Sequence, residues 1–322
     1  MADATLRKLV TEKAVLDAAI IDDLLKVSGI LQTARVIPSS HGKFHKYKKV
    51  SALPTASFRS IGGTYTDQTV DNEIHQLDLK MCGLVQSEDK AICDEIGAKK
   101  YFMDNRPAII EALGQKMATG IIYGTNSTYG DVSGFIGLHD IADAYGSSYY
   151  TDCGGATSTT TIFVVRYAAG RSGLVYNSKT VGAGNLISTT VMNGGQPVLE
   201  YIGSGTKKPV YQILYETDLA WLAASALTVH ALVGVDESTN APTDLELKKA
   251  IDSVKGTSAD TFIYTSRMGK RAIESLNFTA MDTAPMNDDF NTLITRYAGI
   301  PIIVDENILD TEAIASLPYG LT

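Results

Sequence analysis

Several short runs in this 322-residue chain have residue types that could carry chemistry, and each fails on spacing. Gly203 to Lys208 reads Gly-Ser-Gly-Thr-Lys-Lys, which has the glycines and lysine of a phosphate-cradling loop. A phosphate loop needs four residues between its glycines and a Gly-Lys-Ser/Thr ending, and neither is present. Gly182 and Gly184 lack the third glycine of a dinucleotide turn and follow no parallel-strand pattern. His41 and His45 stand four apart, the spacing at which two imidazoles on a helix share a metal. No cysteine or carboxylate completes that set, and Lys43, Lys46, Lys48 and Lys49 would repel a cation. Cys82 and Cys93 have no second pair for zinc, and Asp288-Asp289 reads as a turn. Ser133 lacks the flanking Gly-x-Ser-x-Gly of an exposed nucleophile. The sequence offers no catalytic residue, no metal ligand set and no cofactor site.

The elements that would have to position such residues point elsewhere. Residues 4–28 keep apolar side chains close to a 3.6-residue spacing, including Leu16, Ile20 and Leu24, and Ser28-Gly29 closes the run. An amphipathic helix with one apolar stripe must bury it on its own body or on a neighbour. A basic stretch, 41–49, follows; Lys43, Lys46, Lys48 and Lys49 make it either a solvated segment or a weak patch facing nucleic acid on an inner surface. From Val50 to Gln86 the chain is polar, with Phe58 and Ile61 before the Gly62-Gly63 break and alternation at Leu77, Leu79 and Met81. The pattern predicts a two-armed β excursion with too few apolar residues to fold alone. A helix is predicted over 107–123, opening on Pro107 and ending at Gly124. Residues 124–160 show little regular pattern, and from Thr160 the signals are mostly β. The class is α+β, without a repeating βαβ unit.

Composition agrees with a folded, soluble chain. The residues are 44% hydrophobic and 20% charged, ample for a large core. The formal net charge of −8 excludes a free nucleic-acid binder, because such a surface repels phosphates. Three cysteines at irregular spacing do not make a disulfide framework, which points to a reducing compartment. No signal pattern opens the chain and no apolar run reaches membrane-spanning length, so no membrane partner is expected.

The order of these blocks resembles a known family. Arg106–Gly124 leading into Phe135–Leu138 resembles the spine helix of tailed-bacteriophage major capsid proteins of the Hong Kong 97 fold, in particular the epsilon15-like podophage coat protein family. Ser57–Ile61 resembles the start of the extended loop, Ser158–Asn177 an apical strand pair, and Val210–Asp236 the long peripheral strand segment. Tyr297–Leu309, with its Gly-Ile-Pro, resembles the closing strand. The similarity spans about 50–315.

The resemblance implies an N-terminal arm over 1–50, an extended loop over 51–85, and a peripheral domain over 86–130 and 208–239 with spine helix 107–123. It places the apical domain and C-terminal return over 131–207 and 240–322. It implies a shell around a double-stranded DNA genome, assembled in a bacterial cytoplasm from pentamers and hexamers of this chain. Portal and decoration proteins, and weakly held packaged DNA, are the other implied partners. Leu16, Ile20, Leu24, Phe58, Ile61, Leu77 and Leu79 are then the candidate inter-subunit contacts, and Lys43, Lys46, Lys48 and Lys49 the candidate inner-surface patch. No lysine lies between Val50 and Leu79, so the loop offers no amine for the Lys–Asn cross-link some members use. No fused helical scaffold precedes the arm, which predicts a separate scaffolding protein. Encapsulin-like compartment shells and β-rich tail or adhesin modules are the alternatives, and an unrecognised hydrolase is a third class.

Overall fold

The computed structural model describes residues 28–168, 170–179, 186–203, 206–276, 281–285 and 293–321. The helix expected over 4–28 lies outside the described residues except for Ser28, and Leu16, Ile20 and Leu24 lie outside with it.

Runs of apolar β-branched residues make the strands that are buried on both faces. The clearest are β6 (Thr160–Arg166), β11 (Val229–Val235) and β12 (Thr261–Thr265). They sit in a seven-stranded mixed sheet with β5 (Tyr150–Asp152), β13 (Met281–Pro285), β14 (Leu293–Tyr297) and β15 (Ile300–Val304), in the order β13-β14-β15-β12-β6-β11-β5. Side-chain alternation divides this sheet between two cores. Ile162, Val164, Leu232 and Ile263 face helices α5 (Asp244–Ser253) and α6 (Arg267–Glu274) through Leu247, Ala250, Ala272 and Ile273. Phe163, Val165, Ala231, Val233 and Tyr264 face the opposite way into the larger core.

A six-stranded sheet completes that larger core. Its axis is β10 (Thr206–Ala223), 18 residues long. On one side β10 pairs with β4 (Lys80–Asp89) over ten consecutive residues, Val210↔Asp89 to Leu219↔Lys80. On the other it meets β9 (Val198–Gly203), β8 (Ser188–Val191) and β7 (Ser172–Tyr176) in succession. Parallel β1 (Val36–Pro38) pairs with β7. The segment 208–239 therefore crosses from one sheet to the other near Ala226–Thr228, because β11 pairs with β6 and β5.

The spine helix differs from expectation at its start. Asp89 caps a short helix, α1, over Lys90–Ile96, accepting from the Ala91 amide at 2.8 Å, and α2 then runs over Ala98–Tyr123. Pro107 is inside this 26-residue helix and not at its first position. Pro107 and Met103 are both exposed, so the intrahelical bond that proline omits is lost where water reaches. Ile110, Leu113, Met117 and Ile121 form the buried stripe, and Gly124 ends the helix as the sequence predicts. A further helix, α4 (Leu138–Ala144), lies in the stretch that shows no pattern in the sequence. The one-turn-plus helix that opens the described chain, α3 (Gly29–Thr33), begins at the glycine expected to stop a helix.

Two polar clusters lock distant segments together. Asp305 is buried, and its carboxylate accepts from the Ser28 hydroxyl and, at 2.9 Å, from the Ile30 amide. Gly29 is required beside this pin, since a Cβ there would sit 2.6 Å from the Val304 carbonyl oxygen. The fully buried Glu312 carboxylate accepts from the Tyr123 hydroxyl at 2.5 Å and the Thr161 hydroxyl at 2.6 Å. His139 lies 3.9 Å from it and shares a 2.9 Å hydrogen bond with the Tyr319 hydroxyl. Burial, then the Glu312 charge, drives the Tyr123 phenol far up, so Tyr123 stays protonated and donates. This cluster ties the C-terminal tail to α2, α4 and β6.

Candidate functional site

Strand β2 (Phe44–Ala52) pairs antiparallel with β3 (Asp71–Asp78), from Phe44↔Asp78 to Val50↔Asn72, as a separate two-stranded sheet. The basic stretch is thus the first arm of the excursion and not a segment ahead of it. Alternation splits its side chains. His45 and Tyr47, with Leu77 and His75 opposite, are partly covered; Tyr47 and Leu77 pack against the main core and Tyr47 stacks on His75 at 5.5 Å. Burial, followed by the charge of His41, lowers the pKa of His45. Lys46 and Lys48 lie on the other face with Phe44 and Val50. Lys49 falls on the Tyr47 side of the strand opposite Glu73, and the Lys43 ammonium reaches the Met81 sulfur at 3.4 Å. The four lysines therefore do not form one patch; Lys46 and Lys48 alone share a face.

Between the strands, residues 53–70 have no ladder and are exposed throughout. The tip is held only by local bonds. The Gly63 amide donates to the Ser60 carbonyl at 3.0 Å, closing a turn with Gly62 at φ +86, where a side chain would be strained. Arg59 donates to the Gly63 carbonyl at 3.0 Å and lies over the Tyr65 ring at 5.1 Å. Phe58 and Ile61 are fully exposed, and Leu53, Tyr65 and Val70 are at least half exposed. An apolar group of this size left in water costs about 1.5–3 kcal/mol relative to burial.

The candidate contacts thus separate. Phe58 and Ile61 are available to a neighbour, and Leu77 is half-buried at the foot of the hairpin. Leu79 is not available. It lies between β3 and β4, 8% exposed, within the subunit's own core, because the chain changes sheets there and the apparent alternation of 77, 79 and 81 crosses the break. Leu53, Tyr65, Val70 and Ile74 were missed, although isolated apolar residues without a periodic partner are the sequence signal for them.

A second exposed apolar surface is a cleft of about 340 Å³ between the N-terminal half of α2 and the β8–β10 side of the sheet. Phe102, Met103, Val191, Ile213 and Tyr215 line it, with Arg106 on the helix wall. The fragments with chemical potential do not assemble a site. Gly203 and Thr206 belong to the β9–β10 hairpin, and Gly182, Gly184 and Asp288-Asp289 lie outside the described residues. Among the described residues no three His, Cys, Asp or Glu side chains are grouped to hold a metal, and no helix is long and apolar enough to cross a membrane.

The excursion leaves Phe58 and Ile61 uncovered by the subunit's own body. The pairing of that excursion with a long spine helix and two mixed sheets defines the class as a Hong Kong 97-type capsid subunit. The model of the family described as major capsid protein GP7 matches residues 12–316. Among solved structures, a chain of bacteriophage epsilon15 is similar with a TM-score of 0.58 and 16% identity, over 87% of each chain. The bacteriophage JBD30 capsid is similar with a TM-score of 0.51 and 12% identity, over 92% of this chain and 96% of that one. No curated protein matches the chain by sequence. The chain belongs to the major capsid protein GP7 family: it is a major capsid protein of a tailed bacteriophage, a structural protein that self-assembles into the virion shell. The family is a structural one and not an enzyme family, and the match sets the encapsulin alternative aside.

Proposed function

We propose that this subunit closes an icosahedral shell around a double-stranded DNA genome as pentamers and hexamers, each copy laying its β2–β3 excursion over the next. The observation that carries the reading is the tip itself, where Phe58 and Ile61 stand fully exposed on a turn with no core of its own. The extended loop is then Phe44–Asp78, with the arm before it. The peripheral part is α2 with the β4–β10 sheet, and the apical part is the seven-stranded sheet with α5 and α6. A separate scaffolding protein, a portal and a decoration protein are the companions this role calls for. Contact with packaged DNA is weak and salt-sensitive, carried by Lys46 and Lys48 against an overall charge of −8.

Many modest interfaces suffice, because each subunit added to a closing shell is held at several contacts at once. The test is the double variant Phe58→Asp with Ile61→Asp, assayed by gradient sedimentation and negative-stain microscopy. Soluble subunits without shells are expected. Shells of normal size and yield would refute the assignment.

A further inference from the structure

We propose that the free edge of β4 pairs antiparallel with β4 of a second copy across a two-fold axis, joining one ring of subunits to the next. The inference rests on the capsid reading and names the partner of one of its surfaces. Strand β4 ends the six-stranded sheet: β10 takes one edge over Lys80–Asp89, and no described residue pairs with the other. Its ten residues leave an open edge on the order of 33 Å long, at roughly 3.3 Å each. Subunits that work alone shield such an edge with a proline, a bulge or a charge. From Met81 to Ser87 β4 reads Met-Cys-Gly-Leu-Val-Gln-Ser, with none of these, and its register against β10 runs without a shift.

The strand is complementary to itself. A two-fold axis sets the two copies antiparallel with like faces on the same side, so even positions meet even and odd meet odd. Cys82, Leu84, Gln86 and Glu88 are half-buried on one face, while Met81, Gly83, Val85 and Ser87 are exposed on the other. With Leu84 on the axis, Lys80 of each copy stands opposite Glu88 of the other, an ion pair made twice. Lys80 is exposed and pairs with no described carboxylate. The Glu88 carboxylate is held by the Tyr101 hydroxyl at 2.5 Å and the Asp89 amide at 2.8 Å, with lone pairs left for an ammonium. On the exposed face the same register sets Val85 beside Gly83. A Cβ at Gly83 would lie 2.6 Å from the Tyr215 carbonyl oxygen, so no side chain of its own obstructs the incoming valine. Centring on Val85 would set Lys80 against Lys90 and Met81 against Asp89, so charge selects the first register.

Symmetry assigns the place. Contacts round a pentamer or hexamer are heterologous, one face of a copy meeting a different face of the next. A strand that meets itself makes an isologous contact, which lies between rings, where the two-fold axes of a closed shell fall.

The experiment uses the full chain with Met81→Cys and Ser87→Cys, which this register sets opposite one another. It is assembled into shells and oxidised beside each single variant and the unaltered protein. Both positions are exposed, so the subunit keeps its fold. A covalent dimer on a denaturing gel, reversed by reductant and absent from the controls, is expected, with no larger species. Adding Lys80→Glu should slow linking about tenfold, and adding Glu88→Lys to that should restore it. Normal shells without a dimer, a ladder running beyond dimers, or linkage from Met81→Cys with Asp89→Cys in its place would overturn the proposal while leaving the capsid reading intact. Failure of the unaltered protein to form any shell would instead strike the capsid reading.

Discussion

The seven-stranded sheet and the β2–β3 excursion are both β structure, and they are stabilised in opposite ways. Every residue of β11 is buried, and so is every residue of β6 except Arg166, each face meeting its own core. The excursion has one partly covered face at its foot and then eighteen residues, 53–70, without a ladder or cover. The first region buries its apolar side chains within the chain. The second carries apolar side chains that the chain does not cover. Burial within the subunit and exposed apolar surface are therefore carried by different residues.

That separation can be broken or sharpened by substitution. Leu79→Asp places a carboxylate in the core, and should cost the isolated subunit more than about 4 kcal/mol, read as loss of a cooperative melt. A soluble subunit with an unchanged melt would mean that Leu79 faces outward after all. Glu312→Ala strips the acceptor from Tyr123 and Thr161 and should cost roughly 3 kcal/mol in urea unfolding, with Glu312→Gln costing less because an acceptor remains.

Acid should act on the body next. Burial lowers the pKa of His230 from 6.5 to about 4, and its ring hydrogen-bonds Ser253 at 2.8 Å and Thr151 at 3.0 Å. The folded state holds His230 neutral, so its contribution is present above pH 6.5 and is lost as pH falls through 4. Wild type should lose roughly 2 kcal/mol more than His230→Gln between pH 7 and pH 4, and equal losses would exclude this group. The smallest effect on the subunit belongs to Phe58→Asp with Ile61→Asp. Its melt should stay within about 0.5 kcal/mol of wild type although shells are lost, and a large drop would show that the tip folds back on its own body.

Much of the body is legible in the sequence because burial on both faces leaves continuous apolar runs, as in Thr161–Val165 and Ile300–Val304. The buried half of α2 is legible through Ile110, Leu113, Met117 and Ile121. Its first turns are not, because Lys99, Lys100 and Asn105 set no stripe and Pro107 imitates a start. Leu79 misleads because alternation cannot reveal that consecutive strands belong to different sheets. The exposed tip is marked in the sequence only by Phe58 and Ile61, whose apolar character has no periodic support. The cleft and the Glu312 cluster bring together residues far apart in the chain, up to 189 positions between Tyr123 and Glu312, and no local pattern marks them.

The ten-residue run of β10 beside β4 and its successive partners on the other edge place the cross-strand bonds perpendicular to its length. A tug along that axis loads those bonds together in shear, whereas a force across it would unzip them one by one.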